Sequence, residues 1–260
     1  MKNAAEIIRY KAVTSTNDIA KKMILEGAVH GTTVVADMQE NGRGRQGRTF
    51  FSPLGGVYMT VIVKFCHGDG GISKNEAAQK NSKSLNDIFG NTTVPVTKLT
   101  IVAAVAVADA LKSALHIEAG IKWVNDIFFE GRKVGGILTE TVGDGAVVGI
   151  GINLRTEKLS ADLPNAGSLL SVAGAVTTIQ MVEVIQKQLL DTLSDFDSKI
   201  ILDKYRRKSV LLGKRVLVTA GGKEYEAEVK DIDDDGGLVV RRDNGVFVTL
   251  TYGEANLLIR

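Results

Sequence analysis

The sequence predicts an α+β protein, with a mixed β-sheet flanked by helices over residues 1–209 and a small β-barrel over residues 210–260. Three observations point there. As far as Tyr205, segments of helical apolar spacing alternate with β-branched runs. From about Val210 the pattern changes to short strands punctuated by Gly221-Gly222, Asp235-Gly236-Gly237 and Asn244-Gly245, residues that suit tight turns. The chain has 260 residues, 44% hydrophobic and 24% charged, enough for one large and one small core.

Ser15-Thr16-Asn17-Asp18 is rich in N-cap residues and opens a helix that Gly27 ends. Residues 32–36 read as a strand entering Gly42-Arg43-Gly44-Arg45-Gln46-Gly47-Arg48, and residues 57–65 as the strand that leaves it. The stretch 66–96 turns polar and Gly-rich, a long loop. Residues 98–115 form an Ala/Val/Leu-rich helix whose apolar run contains Asp109 and is too short to span a bilayer. Strands are predicted at 121–123, 136–142 and 146–154. One helix is predicted from Thr178 to about Tyr205, on the spacing of Val182, Ile185, Leu189, Leu193 and Phe196. Residues 215–219, 225–232, 238–241 and 246–252 make the terminal all-β unit, with the boundary near Val210.

A net charge of +2 is too mild for a dedicated nucleic-acid binder. Cys66 is the only cysteine, so no internal disulfide framework exists, which suits a reducing cytoplasm. The charged N-terminal residues lack a signal-peptide core, and no membrane partner is expected. His30, His67 and His116 are scattered without metal-ligand spacing, and no G-x-S-x-G nucleophile elbow occurs. Metal ligands are not identifiable.

The loop 42–47 matches G-x-G-x-x-G, but a dinucleotide site needs a helix after the glycines, and here another strand follows. Kinase H-R-D and D-F-G motifs are absent. What remains is glycine that lets backbone N–H groups approach an anion, and three arginines with fork geometry for phosphate or carboxylate. Short arginine runs are most often solvated turns; this one is delivered by a strand in a chain otherwise near neutral. A second constellation, Lys122-Trp123-Val124-Asn125-Asp126, joins an ammonium, an amide and a carboxylate at a strand end. Gly135-Gly136 and Gly149-Ile150-Gly151-Ile152-Asn153 follow, and glycine inside a strand often marks close approach of a ligand.

Taken in order, Ser15-Thr16-Asn17, Gln39, the Gly42–Arg48 loop, Lys122-Trp123-x-Asn125-Asp126, Gly136-Ile137-Leu138 and Gly149–Asn153 closely resemble the biotin–protein ligases. The resemblance runs from Ser15 to the C-terminus. There, Leu211-Leu212-Gly213-Lys214 and Gly253-Glu254 look like the family's SH3-like C-terminal barrel. Family members often carry proline at the place of Val124 and tryptophan at that of Phe50. The resemblance implies a ligase that makes biotinyl-5′-AMP from biotin and Mg2+-ATP, then passes biotin to a lysine of a biotin carboxyl carrier domain. It implies biotin contacts from Ser15, Thr16, Asn17, Gln39, Gly42, Arg43, Gly44, Arg45, Lys122 and Gly136. It implies ATP or adenylate contacts from Arg43, Arg45, Arg48, Phe50, Asn125 and Asn153, with Lys122 and Arg45 catalytic and the loop a lid. Only fourteen residues precede Ser15, leaving no room for the DNA-binding winged helix of some members, so no nucleic-acid partner is expected. Members often form homodimers through the main sheet. The rivals are a lipoate–protein ligase, which shares the chemistry, and a non-catalytic anion- or RNA-binding module.

Overall fold

The computed structural model describes residues 5–65, 94–157, 159 and 162–258. Residues 66–93 of the expected polar loop, with Cys66 and His67, lie outside them. The chain runs β1 (Ile7–Val13), α1 (Thr16–Leu25), β2 (Thr33–Gln39), β3 (Val57–Lys64), α2 (Leu99–Leu115), β4 (Gly120–Lys122), β5 (Asp126–Phe129), β6 (Arg132–Val142) and β7 (Gly145–Ile152). It continues through α3 (Thr178–Ser194), α4 (Ser198–Lys208), β8 (Arg215–Ala220), β9 (Lys223–Ile232), β10 (Leu238–Arg242), β11 (Phe247–Leu250) and β12 (Glu254–Leu257). The first sheet has the order β1-β2-β3-β7-β6-β5-β4 and is mixed, because only β1 and β2 pair in parallel. The second, β11-β10-β9-β8-β12, is antiparallel throughout and SH3-like.

Period-two patterning assigns the two faces of the large sheet. In β3, Val57, Met59, Val61 and Val63 join the main core, together with Val148 and Ile150 of β7. That core is covered by α2, whose residues are buried nearly all round, as a helix apolar on every side must be. On the other face, Val34, Ile62 and Val147 pack against Ala20 and Ile24 of α1. Thr177 caps α3 in a capping box with Gln180.

Three strands have no counterpart in the sequence reading: β1, β5 and β12. β1 is an edge strand with a largely exposed, non-alternating pattern, and the other two are only four residues long. The single helix expected over 178–205 is two helices. Asp197 ends the first pattern by capping α4, its carboxylate accepting from Ile200 N at 2.9 Å.

The small sheet docks against the large unit through specific polar contacts. Trp123 Nε1 donates to Gly236 O at 2.9 Å, and Arg206 Nε of α4 donates to Ile232 O at 2.7 Å. Lys98 Nζ donates to Asp234 O at 2.6 Å. Gly236 has φ +86°, and a Cβ there would lie 2.1 Å from Ile101 Cδ1. Among the described residues no helix is long and apolar enough to cross a membrane.

Candidate active site

One register row crosses the face of the sheet that carries α1. Lys122 pairs with Asp126, Asp126 with Gly136, Gly136 with Gly151, and Gly151 with Tyr58. Directly opposed residues share a face, so this row places Lys122 and Asp126 beside a floor of two glycines. The next row on that face is Leu138, Gly149 and Thr60. A Cβ on Gly151 would lie 2.5 Å from the Phe50 ring, and one on Gly149 would lie 2.2 Å from Asn17 Oδ1. The strand glycines therefore admit neighbouring side chains onto the sheet.

The resulting cleft, about 260 Å³, takes in the start of α1, the loop after β2, the β4–β5 turn, the glycine strands and β12 of the small sheet. At one end lies a buried polar network. Gln39 Oε1 accepts from Thr16 N (2.9 Å) and Thr16 Oγ1 (3.0 Å), while Gln39 Nε2 donates to Ser52 Oγ (2.9 Å). Thr60 Oγ1 donates to Asn17 Oδ1 at 2.7 Å, and Asn17 Nδ2 donates to Glu140 Oε2 at 2.7 Å. Burial pushes the Glu140 carboxyl up, but the bonds from Lys21 and Asn17 outweigh it and leave it below its ordinary value. Ser15 stands at the N-cap of α1 without a side-chain capping bond, and it lines the cleft.

The glycine–arginine loop differs from expectation. It is a small hairpin: Arg43 bridges Thr49, Gly44 N donates to Arg48 O at 2.7 Å, and Phe50 N donates to Gly42 O at 2.8 Å. Gly44 N–H is thereby spent inside the turn. Gln46 (φ +57°) and Gly47 (φ +73°) turn the chain. Gly42 does not line the cleft. A Cβ there would lie 2.4 Å from Phe50 O, so its part is to let the hairpin close. Arg43 is ion-paired with Asp18 and Arg48 with Glu254 of β12. Arg45 Nη1 donates to Asn125 Oδ1 at 3.2 Å, and Asn125 Nδ2 in turn donates to Ile137 O at 2.9 Å.

Lys122 Nζ donates to Asn256 Oδ1 of β12 at 2.6 Å. Burial lowers its pKa, with Asp126 opposing and Lys133 and Arg48 adding to the fall. Burial likewise lowers that of Arg45. Lys133 Nζ meets Asp126 Oδ1 at 2.7 Å. The β4–β5 turn holding these groups contains a cis peptide at Trp123–Val124, and Val124 O accepts from the buried Tyr205 hydroxyl at 3.0 Å.

Asn153 lies outside this cleft. It lines an adjoining cavity of about 310 Å³ that shares Thr49, Phe50, Lys133 and Leu163 with it. Asn153 Nδ2 donates to Gly167 O at 2.9 Å, and its Oδ1 is buried without a hydrogen-bond partner among the described residues. Phe50 stands edge-on to Tyr58, with ring centroids 6.4 Å apart, on the border of the two spaces. The structure thus gathers Ser15, Thr16, Asn17, Gln39, Arg43, Gly44, Arg45, Arg48, Phe50, Lys122, Asn125 and Gly136 around one cleft. Sequence reasoning missed Asp126, Lys133, Glu254 and Asn256 as cleft residues. Asp126 and Lys133 stand in motifs the sequence already singles out; the register row places Asp126, and Lys133 joins it by their 2.7 Å ion pair. Glu254 stands in the Gly253-Glu254 pair read as part of the barrel, and nothing local marks Asn256.

Comparison with known proteins gives the same direction. The family model described as "Biotin/lipoate A/B protein ligase family" matches residues 10–157, and "Biotin protein ligase C terminal domain" matches residues 211–258. The biotin–[acetyl-CoA-carboxylase] ligase of Paracoccus denitrificans is 29% identical, covering 89% of this chain and 92% of that protein. The bifunctional ligase/repressor BirA of Bacillus subtilis is 27% identical, over 92% of this chain and 70% of that one. Among solved structures, the biotin protein ligase from Aquifex aeolicus in complex with biotin and ATP aligns with a TM-score of 0.77 at 25% identity. That alignment covers 98% of this chain and 99% of the other. With more than half its length matched in the catalytic unit and its terminal sheet matched as well, the chain belongs to the biotin/lipoate A/B protein ligase family, on the biotin protein ligase branch.

Proposed function

We propose that the protein joins biotin to ATP as biotinyl-5′-AMP and then transfers the biotin to a lysine of a biotin carboxyl carrier domain. The observation that carries this reading is the order of chemistry along one connected space. The polar side chains of Ser15, Thr16, Asn17 and Gln39 lie at one end, four cations (Arg45, Arg48, Lys122, Lys133) lie in the middle, and a second cavity bordered by Phe50 and Asn153 lies at the other.

Ser15, Thr16, Asn17 and Gln39 would take the polar ring of biotin, in a network already held rigid by Thr60, Ser52 and Glu140. A biotin carboxylate oxygen attacks the α-phosphorus, the bond to the β-phosphate bridging oxygen breaks, and pyrophosphate leaves. Two anions approach in that step, so preorganised positive charge is the main aid, and Lys122, Arg45 and Lys133 supply it. Magnesium enters as part of the substrate, carried by the triphosphate. Arg48, Phe50, Asn125 and Asn153 would meet the nucleotide, Asn153 through its Oδ1, which lacks a partner among the described residues and is an acceptor suited to an exocyclic amine. The carrier amine then attacks the acyl carbon, the C–O bond to AMP breaks, and the amine proton passes to solvent. In this reading residues 1–209 hold the reacting groups, and residues 210–260 close the cleft through Glu254 and Asn256.

Exchange of labelled pyrophosphate into ATP tests the reading. Exchange that requires biotin, and is not supported by lipoate or octanoate, is expected. Exchange with lipoate instead makes this a lipoate ligase, and none with any acid leaves a binding module. Lys122→Ala should lower biotinyl-adenylate formation on the order of 10²–10³-fold, the cost of one preorganised donor. An unimpaired variant removes Lys122 from the mechanism.

A further inference from the structure

We propose that Asn256, on β12 of the C-terminal sheet, is a positioning residue for adenylation: its amide oxygen aims the Lys122 ammonium into the cleft without neutralising it. This rests on the reading that Lys122 meets the reacting carboxylate and α-phosphate. The argument begins with the charges. Five cationic side chains line the cleft (Arg43, Arg45, Arg48, Lys122, Lys133) against two carboxylates, Asp126 and Glu254. Each carboxylate already has a cation, Lys133 on Asp126 and Arg48 on Glu254. Lys122 and Arg45 are the two cleft cations bonded to neutral amides, Arg45 to Asn125 Oδ1 within the large unit and Lys122 to a residue of the small sheet. The Lys122 hydrogen bond goes to Asn256 Oδ1, at 2.6 Å.

Left to itself, Lys122 has an obvious competitor partner. It lies directly opposite Asp126 in the β4–β5 pair, on the same face. An ammonium on a flexible four-carbon stem seeks the nearest carboxylate. Swinging to Asp126 would pair its charge, displace Lys133, and take the ammonium from the place where ligand charge develops. A carboxylate at position 256 would aim Lys122 equally well but would cancel its charge and repel a triphosphate. A neutral amide aims the ammonium and leaves the charge for the ligand. The amide is held in place by the backbone, because Asn256 pairs with Leu217 within the β8–β12 ladder. The side chain itself is solvent-exposed, so replacing it disturbs no core.

The test compares Asn256→Leu, which keeps the branching at Cγ and removes the acceptor, with Asn256→Gln, which keeps an amide. Both are set beside Lys122→Ala in steady-state biotinyl-adenylate formation with purified full-length protein. Asn256→Leu should lower kcat about tenfold, as for loss of one hydrogen bond to a charged group. Biotin KM should stay within about twofold and the thermal midpoint should not change. Asn256→Gln should recover most of the lost kcat, and Asn256→Leu should add nothing to Lys122→Ala. If Lys122→Ala is impaired while Asn256→Leu is not, Asn256 has no such role and the reading of Lys122 stands. If Lys122→Ala is itself unimpaired, both fall. A drop in kcat that Asn256→Gln does not restore, or that persists in the Lys122→Ala background, also overturns the proposal.

Discussion

Gly149→Ala offers a severe test of how the cleft is built, since one methyl group would be forced against the centre of the polar network. A Cβ at this position would lie 2.2 Å from Asn17 Oδ1, 2.9 Å from its Cγ and 3.0 Å from its Nδ2. Ordinary contact needs about 3.5 Å, so the amide must retreat by roughly 1 Å. Retreat breaks the 2.7 Å bond from Thr60 and the 2.7 Å bond to Glu140. A neutral bond contributes about 1 kcal/mol and one to a charged group about 1.5–3, so the loss is about 2.5–4 kcal/mol. For a protein of this size that lowers the thermal midpoint by about 5–15 °C. If Asn17 holds biotin, affinity falls by roughly 10²-fold, readable by titration calorimetry. The double variant Asn17→Ala/Gly149→Ala removes the clash and should be about as stable as Asn17→Ala alone. A Gly149→Ala protein with unchanged midpoint and biotin affinity, or a double variant showing strictly additive losses, would refute the argument.

Trp123→Phe should weaken docking of the small sheet, because Gly236 O loses its 2.9 Å donor in a buried setting. A loss of about 1–3 kcal/mol in denaturant unfolding is expected, and an unchanged midpoint would show that the bond contributes nothing. His30 should make stability fall in acid. Burial lowers its pKa from 6.5 to about 4, and its Nδ1 accepts from Lys64 N at 3.2 Å. The unfolded chain therefore takes up the proton first. The contribution is fully present above pH 6.5 and is lost as pH falls toward about 4, on the order of 3 kcal/mol in all. His30→Gln should flatten stability across that window; an unaltered pH profile would count against it.

Much of the architecture is legible in the chain alone. The β-branched runs, the apolar helix at 99–115, the turn glycines after residue 210 and the order of the motifs depend on local spacing and local turn chemistry, which a sequence displays directly. The break at Asp197 is also local, a capping side chain inside an otherwise helical pattern, but the apolar period continues across it and masks it. The glycine–arginine loop reads from the sequence as an anion-binding loop, yet only the hairpin hydrogen bonds show that its Gly44 N–H is occupied inside the turn. Tertiary structure alone decided the partners. Register placed Lys122, Asp126, Gly136 and Gly151 in one row, and docking of the small sheet brought Glu254 to Arg48 and Asn256 to Lys122. The Lys122–Asn256 pair is separated by 134 residues, and no periodicity reports a contact at that distance. Such contacts follow from the packing of two sheets, where the relevant variable is position in space and the sequence carries only spacing along the chain.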